Sequence, residues 1–242
     1  MINQWKIYQY ESLGSTNDEI MRFCNIPKQR IVVQTKTQTV GRGRRGRTWQ
    51  SLDGNLFFSA ALEFPLKDLG VLVLISGLSI LQTVRFFAPN ADIKLKWPND
   101  VLLNEAKVCG ILLEKGPLDY IIIGIGVNIT QSPQTADMLY KATSLKEAGI
   151  IVSAEAFLHR FLEIFSQYLD EYSQGNAAEI CQDWTSNVKG LGQRVQIFQD
   201  NIQQSGVFKG IDQNGGLLLE NENGITRILA GDVFYIEKKE NE

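Results

Sequence analysis

The chain has 242 residues, of which 44% are hydrophobic and 21% are charged, and its formal net charge is −3 at pH 7. This composition is typical of a globular protein with one or two domains. The negative net charge argues against a protein that coats nucleic acid, because such proteins usually present a broad basic face.

The number and spacing of cysteine and histidine residues limit the kinds of metal site and catalytic site that the chain can form. The three cysteines, Cys24, Cys109 and Cys181, are scattered without CxxC spacing, which favours a reduced, cytoplasmic protein without a structural metal cage. The N-terminal MINQWKIYQY lacks a basic region before an apolar run, so no signal peptide is predicted. The single histidine, His159, falls on the polar side of an amphipathic helix, which argues against a Ser-His-Asp triad or a multi-histidine metal site.

The first predicted elements flank an arginine-rich segment. A capping box from Thr16 to Glu19 predicts a short helix. Two strands are then predicted by RIVVQTKTQTV and NLFFSAALEF. The connection between them, GRGRRGRTWQSLDG, is longer than a usual hairpin loop, and loops of that length tend to be functional or disordered.

A long apolar segment, residues 69–88, predicts a helix. Its length is near that of a membrane span, but polar residues including Ser76, Gln82 and Arg85 interrupt it. We therefore predict a buried helix and no membrane association. Downstream, IKLKW, VLL, KVCGILLEK and DYIIIGIGVNIT predict strands, and two more helices are predicted around His159 and over residues 177–188. Strands clustered between helices favour an α+β fold, a mixed sheet with helices on one face.

The sequence pattern changes at Gly190. Short strands follow, separated by turn sequences such as Asn-Gly and Gly-Asp. About fifty residues of this kind are typical of a small SH3-like β-barrel. The predicted domains are therefore residues 1–189 and residues 190–242.

The segment GRGRRGR places four arginines and three glycines at residues 41–47. Arginine grips phosphate or carboxylate bidentately, and glycine lets the backbone approach a ligand closely. Neighbouring arginines repel one another by roughly 1 kcal/mol per pair at 4 Å in bulk water, so we expect a loop that is mobile until it meets an anion. The residues alone leave open a solvated basic patch or an RNA-binding tract.

Further segments accompany this loop in a fixed order: Ser15-Thr16-Asn17, KWPND at 96–100, KVCGIL at 107–112 and GIGVN at 124–128. The series resembles the bacterial biotin protein ligases from about residue 8 onward, and the pairing of GRGRRGR with KWPND is its specific part. The resemblance implies a class II synthetase-like catalytic domain followed by the SH3-like barrel. It also implies that biotin and ATP form biotinyl-5′-AMP, from which biotin passes to a lysine of the biotin carboxyl carrier protein of acetyl-CoA carboxylase.

The resemblance also implies roles for individual residues. Three cations are assigned to catalysis: Arg42, Arg44 and Lys107. The implied biotin site consists of Ser15, Thr16, Asn17, Gln38, Arg42, Gly43, Arg44, Lys107 and Gly110. The implied nucleotide site consists of Arg44, Arg47, Trp49, Lys107 and Asn128.

Several of these residues have plain structural alternatives. Lys107 is also explained as an exposed edge lysine, and Trp49 as a core residue. Asp100 is either a turn residue beside Pro98 or the base that deprotonates the acceptor lysine. No protein-borne metal site is predicted, because Mg²⁺ is expected to enter with the ATP phosphates.

The chemistry of the residues agrees with the implied reaction. A carboxylate is already ionised at neutral pH, so its adenylation needs cations rather than a histidine base. Regulatory members of the family carry an N-terminal DNA-binding module, whereas here the resemblance begins almost at residue 1, so we expect a ligase that is not a repressor and binds no nucleic acid. The rival interpretations are a lipoate or octanoate ligase or transferase and an RNA-binding protein. Monomer and homodimer are equally compatible with the sequence.

Overall fold

A seven-stranded mixed sheet forms the larger part of the molecule, in a computed structural model that describes residues 5–134, 141–199 and 202–235. Its spatial order is β1-β2-β3-β7-β6-β5-β4. Strand β1 pairs in parallel with β2, and the other neighbouring strands pair antiparallel. The strands are β1 (Trp5–Leu13), β2 (Arg30–Gln38), β3 (Leu56–Glu63), β4 (Ile93–Lys96), β5 (Asp100–Leu103), β6 (Ala106–Lys115) and β7 (Tyr120–Val127).

Helices cover both faces of this sheet unequally. The α-helices are α1 (Thr16–Ile20), α2 (Leu69–Phe87), α3 (Ala154–Ser173) and α4 (Ala177–Ser186). The three long helices share one large core with the face that carries Val32. Short α1 lies on the opposite face, where Ile20 packs with Ile31 and Val33, because alternate strand residues point to opposite faces. The prediction of helices on one face therefore holds for the long helices and not for α1.

Helix α2 is the centre of the large core. The segment Leu66–Phe87 is long and apolar enough to cross a membrane by composition, but 67% of its apolar 18-residue window is buried inside the protein. The buried hydroxyls of Ser76 and Ser79 are satisfied within the helix, since each donates to a carbonyl one turn earlier at 2.7 Å. The predicted buried helix is confirmed.

The C-terminal strands form a separate antiparallel sheet of five strands in the order β11-β10-β9-β8-β12. They are β8 (Arg194–Gln199), β9 (Ile202–Ile211), β10 (Leu217–Asn221), β11 (Gly224–Ile228) and β12 (Asp232–Tyr235). The predicted domain boundary at residue 189 falls between α4 and β8. The core does not stop there: the Trp97 indole N–H donates to the Gly215 carbonyl at 3.0 Å, and apolar residues of both sheets belong to one buried cluster.

Candidate functional site

A cavity of about 500 Å³ lies between the main sheet, the arginine-rich segment and strand β12 of the C-terminal sheet. Its wall includes every residue predicted for the site, namely Ser15, Thr16, Asn17, Gln38, Arg42, Gly43, Arg44, Arg47, Trp49, Asp100, Lys107, Gly110 and Asn128. The fold thus brings all of them to one place, and their individual roles stay predictions.

Residues 41–49 fold into a short hairpin. Arg42 and Thr48 form an antiparallel bridge, and at the tip both Arg45 (φ 55°) and Gly46 (φ 72°) have positive φ. Positive φ at both central residues is typical of a type I′ turn, which glycine adopts at little cost. The connection that is too long for a simple hairpin loop therefore contains a hairpin of its own. Its expected mobility before ligand binding stays a prediction.

The first two arginines of this hairpin meet oxygen acceptors on the main sheet side. The Arg42 guanidinium binds both carboxylate oxygens of Asp18 at 2.8 and 2.7 Å and approaches Glu114 at 3.3 Å. The bond from Arg42 lowers the pKa of the Asp18 carboxyl. Arg44 donates to the Asn99 side-chain oxygen at 2.9 Å, and burial lowers the pKa of its guanidinium, which remains charged at any working pH.

The other two arginines bind a carboxylate of the C-terminal sheet. Asp232 accepts from Arg45 at 3.1 Å and from Arg47 at 2.5 Å, and its side chain is only 16% exposed. Mutual repulsion between the arginines is therefore offset by acidic groups that lie far away in the sequence. This compensation also weakens the positive potential on which RNA backbone binding would depend.

A chain of polar contacts lines one end of the cavity. The Gln38 side-chain oxygen accepts from the backbone N–H of Thr16 at 2.9 Å and from its hydroxyl at 3.1 Å. The Ser59 hydroxyl lies 2.7 Å from the Thr16 hydroxyl and 2.5 Å from the Asn17 side-chain oxygen. Ser15, Thr16 and Asn17 are all buried. The arrangement offers several fixed donors and acceptors, as a small polar ring system requires.

The predicted capping box is wrong. Helix α1 begins at Thr16, and its N-cap is Ser15, whose side chain makes no capping hydrogen bond. Gln38 takes the place of the capping side chain because it ends β2 directly beside the first turn of α1. The polar side chains of this turn are thereby directed to the cavity instead of the helix end.

Trp49 lies flat against two glycines in the cavity floor. A methyl group added to Gly126 would stand 2.3 Å from a carbon of the indole ring, and one added to Gly110 would stand 2.8 Å from another. The Lys107 amine lies 5.4 Å from the ring centroid. The buried indole N–H has no acceptor among the described residues, an arrangement that fits a ring facing a ligand rather than a sealed core.

Two lysines and one carboxylate form the charged part of the floor. The Lys107 amine lies 2.6 Å from an oxygen of Asp100, and this oxygen makes no well-angled hydrogen bond, so the contact is an ion pair. Lys96 is only 3% exposed, and burial lowers the pKa of its amine to about 7. The charge on this wall of the cavity therefore changes near neutral pH.

Asn128 closes the far end of the floor. It is 3% exposed, and its side-chain amide donates to the Thr143 carbonyl at 3.0 Å. The amide nitrogen is thus held by the Thr143 carbonyl, and the side-chain oxygen remains a hydrogen-bond acceptor.

Five residues that line the cavity or hold its walls are missing from the predicted site: Ser59, Lys96, Asn99, Glu114 and Asp232. Lys96 and Asn99 belong to the KWPND segment and could have been included on that ground. Ser59 and Glu114 are polar residues within apolar strands, which is a usable signal. Asp232 carries no local signal at all.

The cysteine thiols do not account for the chemistry of this cavity. All three cysteines are free and buried, and burial raises the pKa of Cys24 and of Cys181 to about 11, so these thiols stay protonated at neutral pH. Within residues 5–134, 141–199 and 202–235, no group of three or more His, Cys, Asp or Glu side chains could hold a metal ion. Cationic and polar side chains line the cavity.

Comparisons with known proteins agree on one family. Residues 10–128 match the Biotin/lipoate A/B protein ligase family, and residues 190–235 match the Biotin protein ligase C terminal domain. The biotin–[acetyl-CoA-carboxylase] ligase of Paracoccus denitrificans is 32% identical, over 91% of this chain and 97% of the relative. The bifunctional ligase/repressor BirA of Bacillus subtilis is 33% identical, over 96% of this chain and 74% of the relative.

Solved structures give the same result. The biotin protein ligase from Aquifex aeolicus in complex with biotin and ATP superimposes with a TM-score of 0.84 at 30% sequence identity, covering 96% of this chain and 99% of that one. Two family models, relatives aligned along nearly the whole chain and a shared fold point to the same family. The chain belongs to the biotin protein ligase family.

Proposed function

We propose that this chain attaches biotin to a protein lysine in two steps. In the first, a biotin carboxylate oxygen attacks the α-phosphorus of ATP, giving biotinyl-5′-AMP and pyrophosphate. In the second, the acceptor amine attacks the acyl carbon, forming an amide and releasing AMP. The observation that carries the proposal is the convergence of the polar Ser15–Asn17 turn with Arg44 and Lys107 in one cavity.

The first step needs positive charge at two anions. The biotin carboxylate and the phosphates repel each other, and fixed cations lower this barrier while stabilising charge on the phosphorus centre. Arg44 is held in the wall by one bond to Asn99, and guanidinium has five N–H donors, so donors remain for phosphate. Lys107 lies beside Trp49 on the cavity floor, and we propose that its ammonium group also contacts the phosphates.

Magnesium fits this site as part of the nucleotide. The described residues offer no cluster of metal-binding side chains, and one carboxylate that lines the cavity, Asp100, is paired with Lys107. Mg²⁺ usually keeps several waters and binds through substrate phosphates. We therefore assign it to the ATP rather than to the protein.

The second step needs a neutral amine on the acceptor. We propose that Asp100 is the base that removes a proton from the acceptor lysine. It lines the cavity, and one of its oxygens already lies 2.6 Å from an ammonium group, that of Lys107. When Lys107 turns to the adenylate, Asp100 becomes available to the incoming lysine. The relatives named biotin–[acetyl-CoA-carboxylase] ligase support the carrier protein of acetyl-CoA carboxylase as the acceptor, and the free cysteines support a cytoplasmic location.

The experiment is a two-stage assay with the purified protein. Biotin, ATP and Mg²⁺ are added first, and mass spectrometry is used to search for biotinyl-5′-AMP. A biotin carrier domain is then added, with a copy whose acceptor lysine is changed to arginine as the control. We expect adenylate in the first stage and labelling of the unmodified acceptor only.

The same assay separates the alternatives and tests the cations. Lipoate in place of biotin should support no ATP–pyrophosphate exchange, and exchange with lipoate but not biotin would overturn the proposal. Lys107→Ala and Arg44→Ala should each slow adenylate formation at least about tenfold, or roughly 1.4 kcal/mol of barrier. Normal rates in both variants would remove these residues from the mechanism.

A further inference from the structure

The first arginine of the hairpin has its binding face occupied. The two terminal nitrogens of Arg42 reach the two oxygens of Asp18 at 2.8 and 2.7 Å, a bidentate pair. One of these nitrogens also lies 3.3 Å from a Glu114 oxygen. A guanidinium committed in this way has lost its best geometry for a second anion. In this arrangement Arg42 anchors the hairpin.

The same Glu114 oxygen has a second partner in the polar pocket. It accepts from the side-chain nitrogen of Asn17 at 2.6 Å. A carboxylate can only accept, so it fixes the nitrogen side of the amide toward itself and leaves the amide oxygen toward Ser59, 2.5 Å away. The backbone of Gly124 lies close below, since a methyl group there would stand 2.5 Å from the Asn17 oxygen.

We propose that Glu114 is a positioning residue that couples closure of the arginine hairpin to the orientation of the Asn17 amide, with Asp18 as the second anchor of Arg42. The inference rests on the proposed function, since it takes the Asn17 pocket as the biotin site. One carboxylate oxygen serves both contacts, so the closed hairpin and the oriented amide share Glu114 as an anchor. In this proposal Arg42 does not contact the reactants itself. It holds the hairpin in the position that places Arg44 beside them.

Charge explains why the two anchors need Arg42. Asp18 and Glu114 would repel each other without a cation between them. Removing either negative charge weakens the hold on the hairpin, but only loss of the Glu114 side chain also releases the amide. The three changes Asp18→Asn, Glu114→Gln and Glu114→Ala therefore separate the two functions.

The test measures adenylate formation with the full chain and these three variants. In Asp18→Asn and Glu114→Gln, we expect kcat to fall about tenfold while KM for biotin stays within about threefold, because glutamine still accepts from Asn17. In Glu114→Ala, KM for biotin should also rise about tenfold. Glu222→Gln, an exposed carboxylate in a turn of the C-terminal sheet, is the matched control and should behave like the unmodified protein.

A second readout does not depend on activity. Trypsin should cut the hairpin of the ligand-free protein faster in Asp18→Asn and Glu114→Gln than in the unmodified protein or in Glu222→Gln. Equal cutting in all four, or unchanged kcat in both anchor variants of an active enzyme, would overturn the coupling and leave the proposed function standing. An unmodified protein that forms no adenylate would refute the proposed function, and the cutting rates would still decide the coupling.

Discussion

Whether a side chain of this site can be predicted from the sequence depends on how far its partners lie along the chain. Short motifs are enough to predict that Ser15, Lys107 and Asn128 lie at the cavity, because each motif is a local stretch of sequence on which the family resemblance rests. Glu114 and Asp232 were not, because each acts on residues 70 or more positions away. No local pattern reports such a pairing, which exists only once the sheets are assembled.

Lys96 gives a pH-dependent prediction at this scale. Burial lowers the pKa of its amine from 10.5 to about 7, so between these values the unfolded chain binds more protons than the folded one. The electrostatic cost of Lys96 is then fully present below pH 7 and disappears as the pH rises toward 10.5. Lys96→Met should therefore raise the free energy of unfolding above that of the unmodified protein, and the increase should be larger at pH 6 than at pH 10.

Denaturant unfolding at both pH values measures this difference. Lys67→Met, which changes an exposed lysine, is the control and should show the same small effect at each pH. A Lys96→Met effect that is equal at pH 6 and pH 10 would mean that the amine is not held in its neutral form by burial.

Among the elements, strands and long helices followed directly from apolar patterning. The apolar residues of each element identify the side that faces the core. A helix that is apolar on most sides, such as α2, fits only inside the core. The side of the sheet taken by α1 was not predictable, because five helical residues carry too little pattern. The hairpin at residues 41–49 was missed because Arg45 occupies left-handed backbone, which side-chain-bearing residues rarely adopt.

Strands β6 and β7 supply a prediction about the nucleotide. Gly126→Ala would place a methyl group 2.3 Å from the Trp49 ring, so the ring must leave the floor. We expect KM for ATP to rise about tenfold while KM for biotin changes little. Gly77→Ala, where the added methyl group would meet Leu95 at an ordinary 3.4 Å, is the control.

Steady-state kinetics and melting temperature together decide the role of Trp49. If Gly126→Ala lowers the melting temperature but leaves KM for ATP unchanged, then Trp49 is a packing residue and not part of the nucleotide site.

For the whole molecule, the two sheets behave as one structure at the cavity. The turn at Gly215 accepts from Trp97, the N-terminal turn of α2 touches the same turn, and Asp232 reaches Arg45 and Arg47. The existence of a small β-rich C-terminal unit could be predicted from turn spacing. Its participation in the site could not, because contacts between domains leave no periodicity in sequence.

Asp232→Asn tests this participation. Loss of the charge should loosen the hairpin tip, raising KM for ATP about tenfold and speeding tryptic cleavage at Arg44 and Arg45. Glu220→Gln removes an exposed pair with Lys209 on the same sheet, where both side chains are 45% exposed, and should have little effect. Unchanged kinetics and cleavage in Asp232→Asn would show that the C-terminal sheet only supports the fold.

The separation of 187 positions between Arg45 and Asp232 has a consequence during translation. The ribosome makes the arginine segment early and the carboxylate that binds it late. An incomplete nascent polypeptide therefore lacks one wall of the reaction chamber, and a reactive acyl-adenylate held there would be open to water. We therefore expect incomplete chains to protect the adenylate from hydrolysis less well than the finished polypeptide.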